Sequence, residues 1–344
     1  MNSLPPLFAS SGQMEQQFSD GLAAMLEQHQ GLGVYILVLA NAAYDKALWT
    51  QLSAPLAARH SALSAAMTRM LRHNQNLHEP DDDVMVFLKL QVIGFEHLQT
   101  GQSRNAGPWQ LSFNPIRALR PPRISGQKFD RLSRPFDPTG FHFNKAFLAK
   151  ENLWQGTLVD KPVRLLYNKF PFARLHGLLL PEPERQLAQM LTPELHDWAW
   201  DVCARTPISG LNLAYNSTGA GASVNHLHFQ SFVQPAQLPV QNPLFAHNGG
   251  NLAYPLPCLR FDNPQQAWAK LDQLHQHNQP YNLLYSKHAL HLVPRVPQGD
   301  KRLSARSNGY GWSEMAGAIN LFGREEFESM DTTEIETELA SFAA

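Results

Sequence analysis

The chain has 344 residues, enough to bury a sizeable core in one large domain or two ordinary ones. Its 28 lysine and arginine residues nearly balance its 29 aspartate and glutamate residues, which argues against nucleic acid or a membrane surface as a partner. No apolar run approaches the ~20 residues that span a bilayer, and the amino-terminal residues lack the pattern of a signal peptide. The two cysteines, Cys203 and Cys258, form neither a disulfide framework nor a zinc motif. Composition therefore predicts a cytoplasmic globular protein.

The amino-terminal part predicts helices followed by strands. Apolar residues recur at three-and-four spacing over residues 14–30 and 54–74, which predicts two helices. Residues 83–97 and 109–115 are rich in β-branched and aromatic side chains and predict strands. Residues 117–135 carry six basic residues and one acid among three prolines. This basic segment either covers the body as a solvated strap or supplies cations to a substrate phosphate.

The central part predicts a compact α+β unit. Strands are expected over residues 163–170, 176–183, 210–217 and 224–233. A helix is expected over residues 182–206. A fainter copy follows, because "YNKFPFARLHGLLLPEP" (167–183) is echoed by "YNLLYSKHALHLVPRVP" (281–297), after a predicted helix over residues 263–278. Residues 308–327 stand where the loop and last strand of the copy are expected, without the histidine pair, so we predict a duplicated unit whose first copy kept the chemistry.

The stretch "NSTGAGASVNHLHFQ" (216–230) joins a small-residue loop to His226, His228 and Gln230. On a strand, alternate positions project from one face, so these three polar side chains are expected to lie together. The two apolar residues between them are expected to point into the core. The polar face is therefore expected to line a cleft.

The loop before the histidines has the composition of an anion-binding nest. Gly219 and Gly221 allow positive φ and a close backbone approach, while Asn216 and Ser223 add an amide and a hydroxyl. Loop and strand together predict a phosphate cradle beside imidazoles.

Imidazole is a good nucleophile toward phosphorus near neutral pH, because much of it is unprotonated there. One histidine would attack the α-phosphate of a nucleotide, and the other histidine or a backbone carbonyl would fix which ring nitrogen is free. A glutamine can bind phosphate oxygens but is a poor proton donor. This favours leaving groups and acceptors that are themselves phosphates.

Two other interpretations of the histidine pair remain open at this stage. The histidines could be core or surface residues without a function. They could also hold Zn²⁺ with His288 or His291 as a third ligand, which would leave the glycine loop unexplained.

These residues resemble the histidine-triad superfamily, in the branch with HxHxQ. "NKFPFARLH" fits as well, because the superfamily has Asp or Asn, a proline three residues on and a histidine eight residues on, here Asn168, Pro171 and His176. The resemblance implies that Asn168 holds the ribose hydroxyls and that His176 hydrogen-bonds the first histidine of the triad. It also implies an α+β fold of antiparallel sheets with flanking helices.

Within this branch the chain resembles the family of GDP-L-galactose and GDP-D-glucose phosphorylases. "YNSTGAGASVNHLHFQSF" is similar to a family motif, and "WQLSFNPIRALRPP" (109–122), "RPFDPTGFHFNKA" (134–146) and "WSEMAG" (312–317) keep the family order. "YNLLYSKHALHLVPR" also resembles the related Ap4A phosphorylases. Leu227 stands where related sugar-phosphate uridylyltransferases often have proline, and their zinc cysteines are missing.

The resemblance implies a nucleotidyltransferase that converts a GDP-hexose and phosphate into GDP and hexose 1-phosphate through a guanylyl-histidine. His228 would be the nucleophile, His226 and His176 would orient it, and Gln230 would hold the nonbridging oxygens. Asn114 and Arg117 lie in a family-like stretch and are candidates for the base pocket. No cofactor and no metal are expected. The alternatives are phosphorolysis of Ap4A at the same site and a noncatalytic nucleotide sensor.

Three segments are expected along the chain. Residues 1–106 would form an amino-terminal elaboration packed on the body, residues 107–235 the catalytic unit, and residues 236–344 the degenerate second unit. The three would make one continuous structural domain, as a monomer or a homodimer, with no nucleic-acid or membrane partner.

Overall fold

The computed structural model describes residues 4–76, 78–120, 129–234 and 236–344. Its helices are α1 (Ser11–Gln28), α2 (Leu32–Tyr44), α3 (Lys46–Arg72), α4 (Asp81–Ile93), α5 (Pro115–Ala118), α6 (Pro193–Arg205), α7 (Pro264–Gln276), α8 (Trp312–Met315), α9 (Arg324–Ser329) and α10 (Thr332–Ala340). Its strands are β1 (Gln102–Ala106), β2 (Trp109–Phe113), β3 (Asn152–Leu158), β4 (Lys161–Tyr167), β5 (Gly177–Pro181), β6 (Leu211–Asn216), β7 (Phe229–Val233), β8 (Leu259–Phe261), β9 (Tyr281–Ser286), β10 (Ala289–Pro294) and β11 (Ala318–Leu321).

An eight-stranded antiparallel sheet forms the centre of the molecule, in the order β3-β4-β5-β7-β6-β9-β10-β8. The two halves of the chain meet where β6 pairs with β9, with Asn216 opposite Asn282. Helices α6 and α7 cover one face of this sheet and bury Leu213, Phe229 and Leu283 with it. On the opposite face of the sheet, Ala214, Phe232 and Leu284 pack against Trp312 of the short helix α8. This arrangement confirms the predicted α+β fold.

Three amino-terminal helices pack against a fourth, buried helix, α2. Residues 32–43 of α2 are all buried, and α1, α3 and α4 contact it. Hydrogen bonds join this group to β4 and to the turn after it: the Tyr167 hydroxyl donates to the Phe18 carbonyl, and Asn41 Nδ2 donates to the Asn168 carbonyl. Among the described residues, no helix is both long and apolar enough to cross a membrane.

The predicted helices over residues 14–30, 54–74 and 263–278 are confirmed, but the strand predicted over residues 83–97 is wrong. That segment is helix α4, which begins after Pro80 with three aspartates in its first turn. Carboxylates at a helix amino terminus are stabilising, and the buried Val86, Phe87 and Leu90 have helical spacing. Periodicity therefore outweighs the β-branched and aromatic composition on which the strand prediction rested.

The strand predicted over residues 224–233 is shorter than expected, because it begins at Phe229. The Leu227 amide donates to the Leu187 carbonyl, and the His228 amide donates to the Gln189 side chain. Leu227 and His228 therefore bond to the segment that precedes α6 instead of to a neighbouring strand. That segment is also not helical until Pro193, which corrects the predicted helix start at residue 182.

The carboxy-terminal part differs from a strand-for-strand copy of the first unit. Strands β9 and β10 form the hairpin expected over residues 281–297. Residues 308–327, expected to supply the last strand of the copy, instead form α8 and β11 and the start of α9. Strand β11 pairs in parallel with β2 in a separate three-stranded sheet, β1-β2-β11. The proposed division at residue 106 stays a prediction; in the structure it falls at the end of β1, which pairs with β2.

Candidate functional site

His228 is held in a single tautomer directly before β7. Its Nδ1 lies 2.8 Å from the His226 carbonyl oxygen. Because a carbonyl only accepts, Nδ1 carries the proton and the lone pair is on Nε2. Burial lowers the pKa of His228 to about 4, against the opposing effect of that carbonyl. The ring is therefore neutral at pH 7, with an unprotonated Nε2.

His226 takes the opposite tautomer. The Phe143 amide donates to its Nδ1 at 3.1 Å, so the proton of the neutral ring is on Nε2. Its pKa is lowered to about 4, mainly by burial and to a smaller extent by the neighbouring His228, His142 and Arg164.

The Phe143 ring packs against both histidines of the pair. Ring centroids are 5.7 Å apart for His226 and 4.9 Å apart for His228. The two histidines therefore lie on one side of their segment, as predicted, although no strand forms there. Leu227 between them is buried in the core with Phe229, also as predicted.

His176 is bonded to Gln230. The Phe172 amide donates to Nδ1 of His176 at 3.3 Å, so Nε2 carries the proton and donates to Gln230 Oε1 at 2.9 Å. Burial lowers the pKa of His176 to about 3; the bond to Gln230 opposes this shift and Arg117 adds to it. The resemblance implied a bond from His176 to the first histidine of the triad, and the structure corrects this to Gln230.

Asn168 lies at the turn between β4 and β5, beside His176. Its backbone amide donates to the His176 carbonyl at 3.0 Å, and its Oδ1 accepts from the Phe170 amide at 3.0 Å. Its Nδ2 is 3.3 Å from His176 Nε2. The structure therefore brings Asn168 to the histidines, while its contact with ribose stays a prediction.

The glycine loop has the predicted backbone conformation. Gly219 and Gly221 have φ values of +79° and +100°. A Cβ at Gly221 would lie 2.9 Å from the Gly311 Cα, so the loop packs closely against the segment before α8. The Ala220 amide donates to the Ser217 carbonyl at 2.9 Å and is used inside the turn. Ser223 is exposed. Phosphate binding by this loop stays a prediction.

Asn216 fastens the loop to the second half of the chain. Its Oδ1 accepts from Asn282 Nδ2 at 2.7 Å and from the Trp312 amide at 2.9 Å. This carbonyl oxygen is therefore satisfied by the protein, and a role in phosphate binding would rest on Nδ2.

Arg117 lies near enough to His176 for its charge to lower the pKa of that ring, whereas Asn114 bonds to backbone groups. Arg117 lies over the Phe172 ring at 4.5 Å and donates from Nη1 to the Phe170 carbonyl at 2.8 Å. Burial lowers its pKa to about 10, and Glu314 opposes that shift. Asn114 caps α5 with Oδ1 and donates from Nδ2 to the Pro171 carbonyl at 3.1 Å.

The basic segment is described only in part. Residues 121–128, with Arg123 and Lys128, lie outside the described residues. Beyond them, Arg134 Nη2 lies 2.6 Å from Asp130 Oδ1.

The zinc interpretation requires at least three ligands close together. In the parts of the chain that the structure describes, no group of three or more His, Cys, Asp or Glu side chains is placed to hold a metal ion. His291, a suggested third ligand, is on β10 and donates from Nε2 to Asn248 Oδ1 at 3.0 Å.

Two residues of this arrangement were missed by sequence reasoning. Gln189 donates from Nε2 to the carbonyls of Asn216 (2.9 Å) and His228 (3.2 Å) and accepts from the His228 amide at 2.9 Å. Trp312 donates from Nε1 to Gln230 Oε1 at 2.9 Å. Trp312 could have been singled out by its place in the family-like stretch "WSEMAG". For Gln189 the sequence offered only a polar residue among apolar neighbours.

Part of the chain is similar in sequence to known proteins. Residues 109–232 match the model of the GDPGP1-like N-terminal domain family. Human GDP-D-glucose phosphorylase 1 is 34% identical over 129 residues, 36% of this chain and 32% of that protein, so the match spans about a third of the relative. GDP-L-galactose phosphorylase 2 of Arabidopsis thaliana is 24% identical over 245 residues, 58% of this chain and 57% of that protein.

A solved structure shares the fold. The crystal structure of yeast Ap4A phosphorylase Apa2 has a TM-score of 0.52 and 18% sequence identity, over 78% of this chain and 95% of that one. Residues 109–232 are thus similar to the GDPGP1-like N-terminal domain family, and the predicted resemblance of the chain to the GDP-hexose phosphorylases is confirmed.

Proposed function

We propose that the protein is a nucleotidyltransferase that phosphorolyses a GDP-hexose, releasing GDP and hexose 1-phosphate. The observation that carries this proposal is the state of His228, a buried neutral imidazole whose Nε2 keeps its lone pair. The relatives named as GDP-D-glucose and GDP-L-galactose phosphorylases support a GDP-hexose as substrate.

The reaction would proceed in two displacements at the α-phosphorus. His228 Nε2 attacks it, and hexose 1-phosphate leaves with the electrons of the broken P–O bond. The guanylyl-imidazole then carries a positive charge, which the bond from Nδ1 to the His226 carbonyl stabilises. An oxygen of inorganic phosphate attacks the same phosphorus, the P–N bond breaks, and GDP leaves with the imidazole neutral again. Neither step needs a proton donor, and the kinetics are ping-pong.

Gln230 suits this chemistry. Its Oε1 already accepts from His176 and Trp312, so its amide nitrogen is the group left to meet a ligand. An amide N–H donates to a nonbridging phosphate oxygen and does not transfer a proton. Because the leaving group and the attacking group are both phosphates, neither needs a proton from the enzyme.

A chromatographic assay with a substrate panel tests the proposal. Purified protein is incubated with GDP-glucose, GDP-mannose, GDP-L-galactose and Ap4A, each with and without inorganic phosphate. The proposal expects GDP to form from one GDP-hexose and only with phosphate. Conversion of Ap4A to ADP and ATP would keep the His228 chemistry and replace the substrate. Binding of a guanine nucleotide without turnover of any compound would favour a sensor.

A further inference from the structure

The amide of Gln230 is fixed in one orientation by two donors from different parts of the chain. Its Oε1 accepts from Nε2 of His176 at 2.9 Å and from the indole Nε1 of Trp312 at 2.9 Å. Both donors carry fixed protons, since Nδ1 of His176 accepts from the Phe172 amide and an indole only donates. Turning the amide over would place its NH₂ against two N–H groups. The NH₂ is therefore held away from both donors.

Trp312 is itself held firmly enough to aim its N–H group. The indole is 3% exposed and stacks on Phe232, with ring centroids 4.4 Å apart and an angle of 19° between planes. Phe172 lies 5.6 Å from the same ring. The backbone amide of Trp312 donates to Asn216 Oδ1 at 2.9 Å, which anchors the start of α8 to the end of β6.

We propose that Trp312 is a positioning residue for nucleotidyl transfer, which acts by orienting the Gln230 amide toward the nonbridging oxygens of the α-phosphate. This inference rests on the proposed function. It gives the second half of the chain a part in the reaction, because Trp312 lies in the segment expected to be a degenerate copy. It also accounts for glutamine at position 230: its side-chain oxygen accepts hydrogen bonds from His176 and Trp312, and its side-chain nitrogen donates to the ligand.

A double-mutant cycle tests the inference. Trp312→Phe keeps an aromatic ring against Phe232 and removes the N–H donor. We expect kcat to fall about tenfold, the usual effect of leaving one hydrogen-bonding group without its partner. In the Gln230→Ala background the same substitution should change kcat by less than about twofold, because a residue that acts through Gln230 has no effect once Gln230 is gone.

A matched variant separates this role from general stability. Trp198 is also buried, and its Nε1 donates to the Leu158 carbonyl at 3.0 Å on the opposite face of the sheet. Trp198→Phe removes a comparable N–H bond, and we expect it to lower the unfolding midpoint like Trp312→Phe without lowering kcat of the folded enzyme.

The outcomes are distinct. If Trp312→Phe lowers kcat by the same factor with and without Gln230, or does not lower it at all, the positioning role is wrong while the proposed function stands. If the wild-type protein phosphorolyses no GDP-hexose and no Ap4A, the proposed function fails and this inference fails with it.

Discussion

At the scale of single residues, the site is organised by ring tautomers. His228 carries its proton on Nδ1 because the His226 carbonyl accepts there, while His226 and His176 carry theirs on Nε2 because backbone amides donate to Nδ1. Burial keeps all three rings neutral at physiological pH. In the proposed reaction His228 would therefore be ready to attack before substrate binds, with no base needed to remove a proton from Nε2.

Substitution of His228 by Asn should abolish turnover and largely preserve nucleotide binding. An asparagine keeps a donor for the His226 carbonyl but has no nucleophilic nitrogen. Steady-state rates and calorimetric titration with GDP measure the two effects. His288→Asn, an exposed histidine on the β9–β10 turn, is the control and should keep both. Near-normal rates in His228→Asn would refute the nucleophile assignment.

Substitution of Gln230 by Ala should cost less than loss of His228. We expect the activation free energy to rise by about 2–4 kcal/mol, as for other donors to a developing negative charge. The ratio of kcat values for wild type and variant measures it. An unchanged rate would mean that Gln230 only packs in the sheet.

At the scale of elements, the amino-terminal helices support the turn that carries Asn168 and His176. Asn41 on α2 donates from one amide to the carbonyls of Leu37 (2.9 Å) and Asn168 (3.0 Å). Lys169, next to Asn168, pairs with Asp83 of α4 at 2.6 Å. The first 106 residues are therefore joined to the site by polar contacts as well as by apolar packing.

Asn41→Ala should lower the free energy of unfolding by about 1–3 kcal/mol, since the Asn168 carbonyl then loses its donor inside the protein. Urea denaturation measures the change. Asn251→Ala, at an exposed position, is the matched control and should change it by less than about 0.5 kcal/mol. A loss no larger than that of the control would show that α2 does not brace the turn.

Local sequence patterns predicted part of the candidate site, but contacts between distant segments were not predictable from them. The histidine spacing, the positive-φ glycines and the apolar residues between the histidines are local patterns, and they were predicted. The contacts of Gln189 and Trp312 depend on segments about 40 and 80 residues away from the residues they bond, so spacing did not reveal them. Helix α4 departs from the strand prediction because the helical spacing of its buried residues outweighs its β-branched and aromatic composition.

At the scale of the whole molecule, buried neutral imidazoles should make stability depend on pH. Burial lowers the pKa of eight histidines: His60, His176, His196, His226, His228, His247, His275 and His291. Their folded pKa values lie below the unfolded value of 6.5, so the unfolded chain binds more protons as pH falls below it. The contribution of these neutral histidines to the free energy of unfolding is fully present above about pH 6.5 and is lost as the pH falls toward 4. Burial raises the pKa values of Glu151 and Glu314, which makes the folded state more stable on acidification. These two carboxyl groups are outnumbered by the eight histidines.

We therefore expect the free energy of unfolding to fall steadily between pH 6.5 and pH 4.5 in urea titrations. His228→Asn should make this decline shallower, because one proton-binding difference is removed. His288→Asn, on the exposed β9–β10 turn, is the matched control for this substitution. A stability that is constant over this range, or that rises on acidification, would contradict the account.

The central claim is that a nucleotide becomes covalently attached to His228, and intact-protein mass spectrometry tests it most directly. Wild-type protein is mixed with GDP-glucose or GDP-L-galactose without phosphate, and His228→Asn is treated in parallel. We predict that the wild-type protein gains the mass of one guanylyl group, that added phosphate removes it as GDP, and that the variant gains nothing. Phosphorolysis by a wild-type protein that never carries the group, or a guanylyl group located on another residue, would contradict the account.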